Sequence, residues 1–520
     1  MPSHLGLSFF LLLSLTAMAV DPASKLVSVS PSGKLSYTAY DEQGDKIPDF
    51  SSCGYGGGGA RIPSIPVKET LSPAPGNTDD TSRIQAALDS VAQLPTEADG
   101  FRGAVLLRRG HYRCGSSIKI AASGIVLRGE GEGENDTVLT ATANQQYSLV
   151  EIGGPGRPRE TAETKVEITD KYIPVGSRSF TVANAKEFAP GQTVFVIRRS
   201  NAAWIHEIAM DRIVPRPGHP EETKQWSPFE LPFDRTIIAV EGNRITVDVP
   251  ILCAIDEHWG GGALVRYDDS SRTQKCGVEN LRAVSAYDPA KTAEYRGEKV
   301  FTDEAHALYL ARFGNAKNCW ARNLTSVSFY HGVATLTETS KWVTVTDCSA
   351  LDPVSEITGG RRYAFDIAGQ QDLVQRCRTR GARHAFVFSA RVPGPNVFRD
   401  CRSEKDYATS EPHHRWSVGG LYDDVRAEMA FQDRQWMGSG HGWAGANYVA
   451  WNCEGSLVCQ QPPTAQNFAI GFIGKKENGA FPRPMGWWES EGRHVSPHSL
   501  YLAQLLDRLG PTAVQNAEDK

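Results

Sequence analysis

The chain has 520 residues, with 49 Gly, 30 Pro and a formal net charge of −5. That length is large for one compact core, whereas a turn-rich all-β solenoid escapes the limit because its core grows in one dimension. The slightly acidic balance excludes a nucleic-acid footprint over the whole surface, and no apolar run beyond residue 20 is long enough to cross a bilayer.

In chain order, residues 7–19, LSFFLLLSLTAMA, are too short to span a membrane and end in Ala17-Met18-Ala19, a small-x-small cleavage pattern. This predicts a signal peptide over 1–19 and a secreted product, extracellular or periplasmic, although the preceding MPSHLG lacks Lys and Arg. Residues 20–76 are polar and Gly-rich, ending in SSCGYGGGGARIP. With no strand–loop–helix context carrying a Lys, this Gly run reads as a loop or packing element and not as a phosphate cradle. In 77–170, NTDDTSRIQAALDSVAQL offers Thr78, Asp79 and Asp80 as capping oxygens and an apolar stripe of Ile84, Ala87, Leu88 and Val91. It is expected to be an amphipathic helix covering the open end of a solenoid whose first coils follow at 103–150.

Residues 171–265 break the register and read as an inserted β-subdomain, with EGN before RITVDV as a hairpin turn. Its Trp204 and Trp226 are expected to wall a groove. The main coils occupy 266–480. Within them the pattern Ala305-His306, Tyr330-His331, Arg362-Tyr363 and Arg383-His384 leads to Cys319, Cys348, Cys377 and Cys401, at separations of 13, 17, 14 and 17 residues. Short β-type runs joined by turns of varying length are the signature of a parallel β-helix. Cys276, Cys319, Cys348, Cys377, Cys401 and Cys453 end hydrophobic strands, so several are expected to stack reduced in one buried ladder, while Cys53, Cys114, Cys253 and Cys459 stay open as bridge partners. In 481–520, Leu502, Leu505, Leu506 and Leu509 share a face ahead of Gly510, which predicts a closing helix.

The DDT-x-x-IQ-x-A helix, the Gly-x-Tyr turn at 110–112 and GIVLRGEG resemble the opening of the pectate-lyase-like (pectin lyase fold) superfamily, closely over 77–140 and as a repeat pattern over 266–460. The resemblance implies a right-handed parallel β-helix. Because the superfamily includes lyases, hydrolases, epimerases and non-catalytic phage adhesins, it implies far less about the reaction. This repeat has Tyr and His where the family's Ca²⁺-site aspartates and catalytic Arg would be sought. No cofactor is therefore expected, with Ca²⁺ left open.

Strand parity assigns the chemistry. Tyr363 shares a face with Phe365 and Ile367, and His384 with Phe386 and Phe388, so the His/Tyr row points inward or sits at the corner. It is either a hydrogen-bonded ladder or a catalytic row. The neighbouring row, Tyr330, Arg362 and Arg383, joined by Arg415, would then face outward, about 4.8 Å apart. Like charges at that spacing repel, so the row suggests an anionic ligand, unless Asp or Glu partners it. The loops EPHHRW and GSGHGWAGAN gather His413, His414, Trp416, His441 and Trp443 as further binding groups, and Asp366, Asp423, Asp424 and Asp433 form acidic patches. Two adjacent His suggest a metal fragment without a third ligand at a diagnostic spacing.

These residues favour β-elimination on an acidic, uronate-containing polysaccharide. Arg362 and Arg383 neutralise the carboxylate with Arg415 in support, His384 or His331 is the base, and Tyr363 is the acid. His414 and His441 are reserve bases. The alternatives are a glycoside hydrolase using Asp366 with Asp423 or Asp424, and a non-catalytic glycan-binding solenoid. The expected partner is the polysaccharide alone, bound by a monomer, without nucleic acid or membrane.

Overall fold

The computed structural model describes residues 21–519, so the predicted signal peptide lies outside the described residues. From Val67–Leu71 to Trp487–Glu489 the strands form a single ladder of 21 members, joined in parallel by pairs such as Cys319 with Val343 and Val449 with Phe468. A second parallel ladder of seven runs through Ile118–Ile120, Val150–Ile152, Tyr309–Phe313, Gly332–Leu336, Tyr363–Ile367, His384–Phe388 and Glu411–Pro412. The result is a right-handed parallel β-helix, the expected fold. Among the described residues no helix is long and apolar enough to cross a membrane.

The large ladder bends around a sharp corner, set by one left-handed residue per coil. Asn280, Asn323, Asp347, Arg376, Asp400, Asp424 and Asn452 hold φ between 48° and 56°, a conformation Asn and Asp tolerate better than most side chains. Asn323 donates to the Asn280 side-chain oxygen at 2.8 Å, so the corner is also a short amide stack. The residues that follow point into the narrow angle between two faces. Register stacks them as Leu281, Leu324, Cys348, Cys377, Cys401, Val425 and Cys453. Cys276 and Cys319 stand elsewhere, stacked on Val343 after a different left-handed corner at Lys275 and Asn318. The cysteines thus form two columns where one was expected. All ten are free and buried.

The helix Thr81–Ala92 buries Ile84, Ala87, Leu88 and Val91 against the first coil, as its stripe predicts. Asp79 accepts from the Thr81 and Gly115 amides, both at 2.7 Å, tying helix to coil. The Gly run packs closely: a Cβ on Gly58 would lie 2.0 Å from the Ser51 carbonyl oxygen. Strands of the insertion pair antiparallel from Arg159 to Asp268, a wider span than 171–265, and Glu241 faces Arg244 across the expected hairpin. The closing helix Leu500–Leu509 buries Leu500, Tyr501, Gln504 and Leu505, whereas Leu506 and Leu509 are about half exposed at 48% and 49%. Its buried stripe is therefore rotated from the expected one, and Gly510 at φ 82° ends it.

Candidate active site

The repeat that points to a site is in register only in part. Tyr363 pairs with His384, as the pattern requires. Upstream, Ala334 pairs with Phe365, which places Gly332 level with Tyr363 and shifts His331 by one residue. Tyr309 pairs with Gly332, so His306 falls three positions outside the row. There His306 is buried and bonded to Ser285 and the Val354 carbonyl, both at 2.8 Å. The Gly332 position has no room for a Cβ, which would sit 2.6 Å from the Ala364 Cα. The His331 ring lies on Tyr309 instead, with centroids 4.5 Å apart and planes 11° from parallel.

From this edge the rings run on without a break. Tyr363 lies 5.7 Å from His331, 5.2 Å from His384 and 5.2 Å from His413, centroid to centroid. Its hydroxyl bonds His413 Nε2 at 2.8 Å, and His413 Nδ1 meets His414 Nδ1 at 2.7 Å. His441 stacks on His414 at 4.7 Å. Five predicted site residues, His331, Tyr363, His384, His414 and His441, are thus brought together, with His413 at the centre.

Fixed backbone partners set two tautomers. The Tyr363 amide can only donate, so His331 Nδ1 accepts from it at 3.3 Å and the Nε2 of the neutral ring carries the proton. This makes neutral His331 a donor and not the expected base. The Thr409 carbonyl can only accept, so His384 Nδ1 donates at 2.5 Å and Nε2 keeps a lone pair, buried and without a partner. His384 has the tautomer of a base. Burial first, and then neighbouring arginines, hold His331 and His414 at about 3, His441 at about 2, and His384 and His413 well below the usual imidazole range.

The two His-bearing loops converge because their backbones pair. The amides of Arg415 and Trp416 donate to the His441 and Trp443 carbonyls at 3.1 and 2.8 Å. Arg415 and Trp416 are consecutive non-Gly residues at φ 61° and 63°, a strained conformation of the kind that clusters at functional sites. The insertion braces the second loop: the Lys224 amide donates to the Ser439 carbonyl at 3.3 Å and the Trp226 indole to the Gly440 carbonyl at 3.0 Å. Trp204, Trp416 and Trp443 are 0–2% exposed and Trp226 is 6% exposed, all in the core joining insertion to coils. None presents a sugar-stacking face, which corrects the expectation for all four. Their apolar rings are consumed in docking the insertion.

The charges differ from the expected outward stripe. Arg362 is 4% exposed at φ 56°, its guanidinium turned back to donate to the Ser355 carbonyl at 2.7 and 3.1 Å and to the Phe301 carbonyl at 3.1 Å. It holds a turn. Tyr330 is likewise buried. Arg383 stays partly open and bonds the Gly359 carbonyl. Arg415 donates to Ser439 Oγ at 2.9 Å, and Arg391, which stands in no repeat or motif, lies 4.2 Å over the Phe229 ring. Among the described residues no carboxylate forms an ion pair with Arg383, Arg391 or Arg415, whereas Arg434 pairs with buried Glu411 at 2.7 Å. Glu411, Arg391 and Arg434 left no repeat or motif by which to find them.

The acidic residues each have partners of their own. Asp366 is on the seven-strand ladder, bonded by Ser389 at 2.8 Å and Thr335 at 3.4 Å, with burial pushing it up to about 6. Asp423 is on the other ladder, fully buried, accepting from the Leu500 and Tyr501 amides at 3.1 and 3.0 Å to cap the closing helix. Asp424 lies 3.6 Å from His498, and Asp433 pairs with Arg483 at 2.7 Å. Two sets of groups are close enough to share a metal ion at this site: His413, His414 and His441, and His384, Glu411 and His413, each with donor atoms within 4.8 Å.

No family model and no curated protein matches the chain. Among solved structures it is similar to the tailspike gp49 of Pseudomonas phage LKA1, at 12% identity and a TM-score of 0.46, covering 76% of this chain and 56% of that one. The tailspike gp61 of Pseudomonas phage phi297 matches at 12% identity and 0.41, over 81% and 62%. The tailspike of E. coli bacteriophage HK620, solved in complex with a pentasaccharide, matches at 11% and 0.38, over 78% and 55%. The chain spans little more than half the length of these neighbours, and the β-helix assignment rests on the strand register described above.

Proposed function

We propose that the protein is a secreted, monomeric lyase that cleaves an acidic polysaccharide by β-elimination, a reading in keeping with the pectate-lyase-like resemblance of residues 77–140. The observation that supports it is the set of three arginines, Arg383, Arg391 and Arg415, which lack carboxylate partners beside a Tyr/His cluster. An unpaired guanidinium is best matched by a planar anion, and a uronate carboxylate is one. Pairing that carboxylate lets negative charge build on it, which lowers the barrier to removing the C5 proton. The C4–O bond then breaks, a C4=C5 double bond forms, and the leaving oxygen takes a proton.

In this reading Tyr363, partly exposed, protonates the leaving oxygen, and His384, with its free Nε2, is the base of the pair. His331 serves as a hydrogen-bond donor to the sugar. The arrangement favours this over hydrolysis, because Asp366 and Asp423 lie on different ladders and Asp423 caps a helix. The test is incubation with panels of acidic and neutral polysaccharides, reading ultraviolet absorbance of an unsaturated uronate together with reducing ends. Absorbance with new ends supports the lyase, and Tyr363→Phe should suppress both while the fold persists. New ends without absorbance would mean a hydrolase. Retention on a glycan column without cleavage would mean a binder.

A further inference from the structure

We propose that His413, His414 and His441 bind one divalent first-row transition ion of the zinc class through their ring nitrogens. Nothing in this depends on the reaction proposed above. Donor atoms of the three rings fall within 4.8 Å of one another, and the Nδ1 atoms of His413 and His414 already face each other at 2.7 Å. A hydrogen bond between two neutral rings would account for that contact alone. It does not account for His441, whose buried Nδ1 has no partner at all. A shared ion gives all three nitrogens a common acceptor of their lone pairs. With Zn–N bonds of about 2.0–2.1 Å, tetrahedral nitrogens stand roughly 3.3 Å apart, so small ring rotations suffice.

The surroundings are those of a ligand set. His413 is held from behind at its far nitrogen, Nε2, by the Tyr363 hydroxyl at 2.8 Å, the kind of outer partner that orients a metal-bound imidazole. Backbone pairing of Arg415 with His441 and of Trp416 with Trp443 fixes the two loops against each other. An all-nitrogen donor set suits Zn²⁺, Co²⁺, Ni²⁺ or Cu²⁺ and disfavours Ca²⁺ and Mg²⁺, which take oxygen. The second set is weaker, because Glu411 is engaged by Arg434. Arg391, Arg415 and Arg434 add positive charge nearby, which favours an anion at the fourth position of the ion.

The experiment is metal analysis of the full chain after chelation, dialysis and reloading with Zn²⁺ or Co²⁺. The expected result is about one equivalent per chain, a visible Co²⁺ spectrum of tetrahedral type, and a rise in melting temperature on adding Zn²⁺. His441→Ala and His414→Ala should each lose the equivalent and the melting shift while keeping the β-sheet circular-dichroism spectrum. His219→Ala controls for the exposed His219, Glu221 and Glu222 group and should change nothing. The proposal is overturned if folded wild-type protein takes up no stoichiometric ion, or if uptake is lost in His219→Ala and kept in His441→Ala. Lyase activity in a protein that takes up no stoichiometric ion would overturn this site and leave the reaction standing.

Discussion

Two buried charged clusters lie where the insertion meets the coils, and they are built on opposite terms. In the first, Asp234 receives Lys341 Nζ and the Tyr267 hydroxyl at 2.6 Å each and Arg272 at 2.9 Å, with Asp269 bonding the same arginine at 2.8 Å. Burial alone would raise the Asp234 carboxyl, but the two cations hold it well below the usual range. Every charge there has its counter-charge. In the second, around His413, the Nε atoms of Arg391 and Arg415, His384 Nε2 and His441 Nδ1 are buried without partners. A closed network of this kind fastens one part of a protein to another. An open one costs stability and persists where something else completes it.

The largest effect is expected from breaking the closed cluster. Asp234→Ala strands Lys341, 0% exposed, leaves Arg272 with Asp269 alone, and should destabilise by about 3–5 kcal/mol in urea unfolding. A loss below ~1 kcal/mol would mean the two clusters do not differ as described. Next, Trp226→Ala removes a core ring that also braces the His441 loop, and should cost ~3 kcal/mol. An unchanged melting temperature with a raised KM would restore the groove-wall role that its sequence setting suggested.

Emptying the open cluster should act on turnover and not on stability. Arg383→Ala or Arg415→Ala is expected to lower kcat/KM by roughly 10²-fold or more, with the melting temperature kept, and Arg383→Lys should recover only part. Loss of stability in parallel with activity would move these arginines to the closed class. The smallest effect concerns Asp366, whose folded pKa of about 6 lies above that of an unfolded carboxyl. Its contribution to stability is fully present below the unfolded value and is lost as pH rises through about 6. Asp366→Asn should flatten the stability profile between pH 4 and 6 by on the order of 1 kcal/mol after solvent screening, and a profile identical to wild type would remove Asp366 as its source.

The coil architecture was legible because it repeats: Asp347-Cys348, Asp400-Cys401 and Asn452-Cys453 each pair a left-handed corner residue with a small inward side chain. Tyr363 and His384 were legible as a pair for the same reason. The upstream rows were not, since turns of unequal length allow a one-residue slip, and such a slip put His331 level with Arg362, in the place expected for Tyr330. Partner choice was also hidden. Arg362 and Arg383 look alike in sequence, and only the left-handed turn at Arg362 sends one of them inside. His441 stands one coil away from His414, a separation set by coil length and not by any motif. The tryptophans of the insertion could equally have faced a groove or a core, because composition does not say which side is covered.

The first and last described segments meet on one flank of the solenoid. Glu489 accepts from the Lys25 amide at 2.6 Å, Gln504 from the Phe50 amide at 2.8 Å, and the Tyr501 hydroxyl donates to the Cys53 carbonyl at 2.8 Å. Together these segments cover an apolar strip of Leu373, Val397, Leu421, Val449 and Phe468, each from a successive coil. A bare array of repeats can fray one unit at a time from its ends, since each touches only its neighbours. Here a belt laid lengthwise ties at least five coils to both segments, so none of these coils can peel away without uncovering the strip beneath. The coils from Leu373 to Phe468 should therefore melt together with these two segments, despite being built as a stack.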